Sequence, residues 1–162
     1  MLVFPKFNFI AFSKAPPGTL IIHQKKVGFV VQDDTPNNDG NYIAAYDLEK
    51  KQFAVEYSSA SSVLAIDTGT GVVIELDPLN GVASGSTRGV VPVSSLLVQG
   101  GDAYFVLPTN PPHRSYVDIK TGKVKTSLSG QLASCSKWKL GIRSEIDQKI
   151  RWLIQADASD VT

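Results

Sequence analysis

An apolar run, Val63-Leu64-Ala65-Ile66, leads directly into Asp67-Thr68-Gly69. Aspartates presented this way suit acid–base work, because two such carboxylates sharing one proton can activate a water. A second acidic segment, Asp33–Gly40 (DDTPNNDG), carries Asp33, Asp34 and Asp39. Hard oxygen ligands at that density suit calcium. The third pattern is basic. Lys137, Lys139 and Arg143 share one parity, opposite to Trp138, Leu140 and Ile142. Lys123 and Lys125 stand the same way against Val124, and Lys149 and Arg151 against Ile150 and Trp152. Because successive strand side chains point to opposite faces, this alternation predicts a buried apolar face and a cationic outer one.

The Asp67 segment resembles the catalytic loop of aspartic proteases, and a single copy would suit the retroviral, homodimeric type. The resemblance implies a flap and a later apolar-Gly strand-to-helix motif. The nearest counterpart, Leu96–Val106 (LLVQGGDAYFV), puts Gly100 only 33 residues after Asp67, and no helical pattern follows. That is too little chain for the flap. The same spacing also recurs where it reads as a turn, at Asp47–Lys51 and Asp118–Gly122. In such turns the Asp side chain accepts backbone N–H groups and the fifth residue supplies a positive φ. A turn is therefore the expectation at Asp67 too. These turns resemble those of β-propeller blades, but the aspartates lie 20 and then 51 residues apart, so no repeat emerges.

The acidic segment fails the EF-hand register: with Gly40 sixth, Thr35 is first and Tyr46 twelfth. An exposed loop is expected there, with a looser calcium site from Asp33, Asp34 and Asp39 as the alternative. His23 and His113, the only histidines, lie away from acids and from Cys135 in the sequence. There is no phosphate-binding glycine loop, and Gly85–Gly89 has Thr87 where a nucleophile elbow needs Ser. No catalytic residue, metal or cofactor is expected. Cys135 is the sole cysteine and reads as a small buried hydrophobe.

The elements that must position these residues are strands. Apolar–polar alternation dominates, in runs rich in Val, Ile, Phe and Tyr. Strands are predicted over 7–12, 19–23, 27–32, 41–46, 52–58, 63–66, 72–76, 89–93, 96–98, 103–107, 115–119, 123–128, 138–142 and 150–155. Asp33–Gly40, Leu79–Gly89 and Thr109–His113 read as loops. Ser144–Ile154 allows a hairpin or a short helix capped by Ser144, and the hairpin is preferred because alternation continues on both sides. The fold expected is all-β: a single-domain sandwich or barrel of consecutive antiparallel hairpins. Residues 1–17 would form an apolar N-terminal arm or edge strand, 18–156 the β domain and 157–162 a tail. The composition fits, with 43% hydrophobic and 19% charged residues among 162.

Net charge is +1, but it is unevenly spread: residues 114–151 hold nine Lys/Arg against three Asp/Glu, and residues 1–113 hold seven against ten. The cationic parity therefore reads either as a solvated, edge-protecting surface or as a docking face for an acidic partner. Nucleic acid is disfavoured, since the aromatics lie on the inner parity. No run reaches the ~18 apolar residues of a membrane span. The start lacks a basic n-region and a small-residue cleavage site, so secretion is not expected and a virion or the cytoplasm is. The function expected is a non-enzymatic assembly subunit, such as a phage decoration, adaptor or tail-accessory protein. It would dock onto other protein subunits through Lys123, Lys125, Lys137, Lys139, Arg143, Lys149 and Arg151, and through Phe4, Phe7, Phe9 and Phe12 of the arm. A carbohydrate-binding module using the three loops is the alternative, and an enzyme centred on Asp67 the third.

Overall fold

A computed structural model describes residues 5–33, 40–47, 49–56, 62–67, 71–77, 79, 81–86, 91, 94–108 and 114–157. Their strands are β1 (Lys6–Ala11), β2 (Leu20–His23), β3 (Lys26–Asp33), β4 (Gly40–Asp47), β5 (Gln52–Glu56), β6 (Ser62–Asp67), β7 (Val72–Leu76) and β8 (Gly81–Ser86). They continue with β9 (Leu96–Gln99), β10 (Asp102–Pro108), β11 (Arg114–Asp118), β12 (Val124–Lys125), β13 (Ser129–Cys135), β14 (Lys137–Arg143) and β15 (Ile150–Asp157). A 3-10 turn, Phe12–Lys14, follows β1. The chain is all-β, as the alternation predicts, in three antiparallel sheets ordered β1-β6-β2-β3-β4-β5, β12-β11-β10-β9-β13-β8 and β15-β14-β7.

One apolar cluster draws on all three sheets, with Leu20, Phe29 and Tyr46 from the first, Phe105 and Val117 from the second, and Trp138 and Leu140 from the third. Its centre is aromatic. The Phe105 ring lies 5.0 Å from Phe29, 4.3 Å from Phe53 and 5.3 Å from Trp138 by centroids. Both six-stranded sheets also bury their other faces. On the first, Phe12 and Ala15 cover Ile21, Val30 and Ile43. On the second, Val91 and Leu128 join Tyr104, Val106 and Tyr116. Strands covered on both sides read as unbroken apolar runs, which is why Phe29-Val30-Val31 and Tyr104–Leu107 barely alternate in polarity.

Ser94 ties the sheets together. Its hydroxyl accepts the Phe53 N–H (2.7 Å), its carbonyl accepts Trp138 Nε1–H (2.9 Å), and its own N–H donates to Val106 (3.1 Å). A second tie is the β11–β12 turn, where Gln32 N–H donates to the Gly122 carbonyl at 3.0 Å. Gly122 has φ +67°, and a Cβ there would run into the backbone of Pro17 and Gly18. Only glycine fits.

Several elements differ from the sequence reading, and of the predicted strand 123–128 only Val124–Lys125 is strand. Leu79–Gly89 is not wholly a loop, because Gly81–Ser86 forms β8, and β13, which was not predicted, pairs with it. Of the predicted strand 89–93, only Val91 is described, and it lies outside any strand. Ser144–Lys149 is the turn of the β14–β15 hairpin, yet Ser144 Oγ accepts the N–H groups of Ile146 (3.2 Å) and Asp147 (3.4 Å), as a cap would. The loop residues 34–39 and 109–113 lie outside the described residues.

Candidate functional site

The seven basic residues fall on two sheets rather than on one face. Lys123 and Lys125 lie at the β12 edge of the second sheet, whereas Lys137, Lys139, Arg143, Lys149 and Arg151 lie on or beside the β14–β15 hairpin. Several cations there already have anions. Lys137 pairs with Asp157 (3.1 Å), Lys139 with Glu75 (2.8 Å) and Arg151 with Asp147 (3.1 Å). Lys125 Nζ donates to Tyr104 Oη at 3.0 Å and sits 4.7 Å from its ring centroid. That hydrogen bond raises its pKa above the ordinary lysine value. Arg143 and Lys123 are exposed. Exposed pairs of this kind contribute about 0–1 kcal/mol each and leave a mixed-charge surface.

The parity predicted for β15 does not survive the structure. Its pairing with β14 shifts register between Leu140 and Gly141, so Leu140 stands opposite Ile154 but Gly141 opposite Trp152. A one-residue bulge sends all residues before it to the other face. Trp152 therefore lies outside, 5.4 Å from Lys139 Nζ, with its ring over Gly141, where a Cβ would meet it at 2.8 Å. Arg151 instead stands opposite the buried Ile142 and escapes toward Asp147 at the sheet end.

Of the arm residues, Phe4 lies outside the described residues, and Phe12 is buried against the first sheet's outer face. Asn41 Nδ2 holds the segment after β1 by donating to the carbonyls of Phe12 (3.3 Å) and Ala15 (3.0 Å). β1 itself pairs with β6, Phe7 opposite Ile66 and Phe9 opposite Leu64. These two phenylalanines face the same side as the core residue Ile66 but sit on the outermost strand, and Phe7 is 46% and Phe9 80% exposed. The far edge of β1 has no partner strand among the described residues.

Other constellations are modest. His23 Nε2 approaches Glu56 Oε2 at 3.4 Å, and Lys26 Nζ reaches Glu56 (2.7 Å) and Asp47 (3.7 Å). Sequence distance hid that His–acid contact, since His23 and Glu56 come from different hairpins. A cleft of about 730 Å³ has an apolar floor that includes Leu20, Ile66 and Ile119, with Asp102 and Lys120 also lining it. Cys135 is buried, its single S–H placed to donate to the carbonyl of Lys137 (3.0 Å), with that of Asp77 at 3.4 Å as the other acceptor in reach. Burial, then the Asp157 carboxylate, pushes the Tyr46 phenol up to about 12. Among the described residues no cluster of His, Cys, Asp and Glu could hold a metal, and no helix is long and apolar enough to cross a membrane. Asp33 and Asp67 are described by backbone only, and Asp34, Asp39, Thr87 and His113 lie outside the described residues.

The turn reading holds where side chains are described. Asp47 Oδ1 accepts the N–H groups of Glu49 (2.9 Å) and Lys50 (3.0 Å), and Asp118 Oδ1 those of Lys120 (2.9 Å) and Thr121 (3.1 Å). The fifth residues Lys51, Gly71 and Gly122 all have positive φ. The Lys50 N–H, then that of Glu49 and the charge of Lys26, hold the Asp47 carboxyl below the usual carboxylate range. A depressed pKa makes its stabilisation complete above the unfolded value, ~3.9, and lost as pH falls through the folded one. Urea midpoints measured across pH 5 to 2 should therefore fall less steeply for Asp47→Asn than for the parent. Parallel profiles would remove Asp47 as a source of acid sensitivity.

Comparison with known protein families, curated proteins and solved structures returns no match.

Proposed function

We propose that the protein is a non-enzymatic assembly subunit, a virion component such as a decoration, adaptor or tail-accessory protein, which docks by adding β1 to a strand of a neighbouring protein. The observation that carries this reading is the outer edge of β1, which no strand among the described residues covers, with Phe7 and Phe9 exposed beside it. An unpaired edge is a row of N–H and C=O groups with a fixed spacing, so its natural complement is another strand. Two exposed aromatic rings add apolar area that isolated surface residues do not. The basic residues of β14 and β15 contribute a secondary, rim-like surface, since much of their charge is matched within the chain.

Deleting residues 1–17 would be a poor test, because Phe12 and Ala15 belong to the core. The double variant Phe7→Lys/Phe9→Lys changes exposed side chains only. In gradient sedimentation of extracts from the native source, the parent should run in particles far heavier than its 17.4 kDa. The variant should shift to the monomer position. A parent that sediments as a free monomer there, or a variant that stays in the particle, overturns the reading.

A further inference from the structure

We infer that the strand which completes the β1 edge belongs to a second copy of this chain, paired antiparallel across a two-fold axis at Asn8. Phe7 of each copy then lies opposite Phe9 of the other. The inference rests on the docking role proposed above and names its partner.

Symmetry leaves few registers. Directly opposed residues in an antiparallel pair share a face, so a two-fold axis normal to the sheet must pass through a residue and not between two. Centred on Phe7, the pairing sets Phe9 against Pro5; centred on Phe9, it sets Phe7 against Ala11. Centred on Asn8, it matches Phe7 with Phe9 twice. Four rings then form one aromatic group on the face that also carries Leu64 and Ile66 of each copy. Lys6 falls opposite Ile10, and the two Lys6 residues stand about four residues, ~13 Å, apart along the strand. That exceeds the ~8 Å over which salt screens charges.

The strand's own chemistry favours a copy of itself. β1 carries one charge, at its first residue, and no proline or bulge interrupts it. Of the other edges, β5 carries Glu56 in an ion-paired cluster, β7 the ion-paired Glu75, and β15 Arg151, Gln155 and Asp157, while β12 is two residues long and β8 (GVASGS) has no residue larger than valine to offer a partner. A foreign strand would have to reproduce the Phe7–Phe9 alternation, whereas a second copy brings it by symmetry. With a net charge of +1, two copies scarcely repel. Two-fold dimers are also the commonest closed assembly.

The test uses the purified full-length chain. Sedimentation equilibrium should give twice the 17.4 kDa monomer mass, falling on dilution. Phe9→Lys should give monomers with an unchanged urea midpoint. Opposed Cα atoms lie about 4.5–5.5 Å apart, within the span of a disulfide, so Asn8→Cys should cross-link on mild oxidation. Lys6→Cys should not. The buried, hydrogen-bonded Cys135 makes the parent the blank. Cross-linking at Lys6→Cys equal to that at Asn8→Cys overturns the register. A monomeric parent at every concentration overturns the second copy. If Phe7→Lys/Phe9→Lys still abolishes sedimentation with the native particle, the docking reading stands with a foreign strand. If it does not, both readings fall.

Discussion

Phe105→Ala is expected to lower stability by about 3–5 kcal/mol, the usual cost of removing a fully buried aromatic ring. Phe105 has no exposed surface, and its ring, on the second sheet, meets Phe29 and Phe53 from the first and Trp138 from the third. Its neighbours cannot easily close the gap. Phe29 and Phe53 are anchored to different strands of the first sheet and Trp138 to the third, and Trp138 is further pinned by its indole bond to Ser94. Against a typical total of 5–15 kcal/mol, such a loss could consume half the stability of the chain. Equilibrium urea unfolding checks it. A loss under about 1 kcal/mol would mean that the cavity collapses and the ring cluster is not the centre of the core. Phe105→Leu should lose less, since it keeps apolar contact while giving up the tilted ring packing.

The strands that build this core were legible because their side chains are long, branched or aromatic and their partners bury them. Val72–Leu76 is bounded as predicted, and the other described strands that were read differ mostly by a residue or two at their ends. What escaped was structure held by backbone pairing. β8 (GVASGS) and β13 (SGQLASC) carry few residues that favour strands, and β13 forms because its backbone pairs with β9 on one side and β8 on the other. The bulge that turns Trp152 outward left no mark in the residue order, because Ile150, Trp152 and Ile154 alternate with or without it. The same limit applied to the site. Phe7 and Phe9 were visible as a pattern, but that Phe12 turns inward while they remain at an open edge depends on Ile21, Val30 and Asn41, which lie elsewhere in the chain. The cationic parity was real in sequence, yet Glu75, Asp147 and Asp157 neutralise much of it in space.

Ser94→Ala should cost about 1–3 kcal/mol although it removes a single oxygen. The Phe53 N–H would lose its acceptor inside a site closed to solvent, since both Ser94 and Phe53 are fully buried. An unsatisfied buried donor costs its full desolvation, not merely the net value of one hydrogen bond. The bonds made by the Ser94 backbone, to Trp138 and Val106, would survive, which separates the hydroxyl's contribution from the backbone's. Ser94 also has φ +69°, a conformation that costs a residue with a Cβ about 1–2 kcal/mol. Ser94→Gly removes the same hydroxyl but relieves that strain, so it should be less damaging than Ser94→Ala despite glycine's greater freedom when unfolded. Urea midpoints of the three proteins should rank serine first, glycine second and alanine last. An alanine variant as stable as the parent would show that Phe53 N–H finds another acceptor. An alanine variant above glycine would show that the strain relieved at position 94 is smaller than the cost of glycine's greater freedom when unfolded.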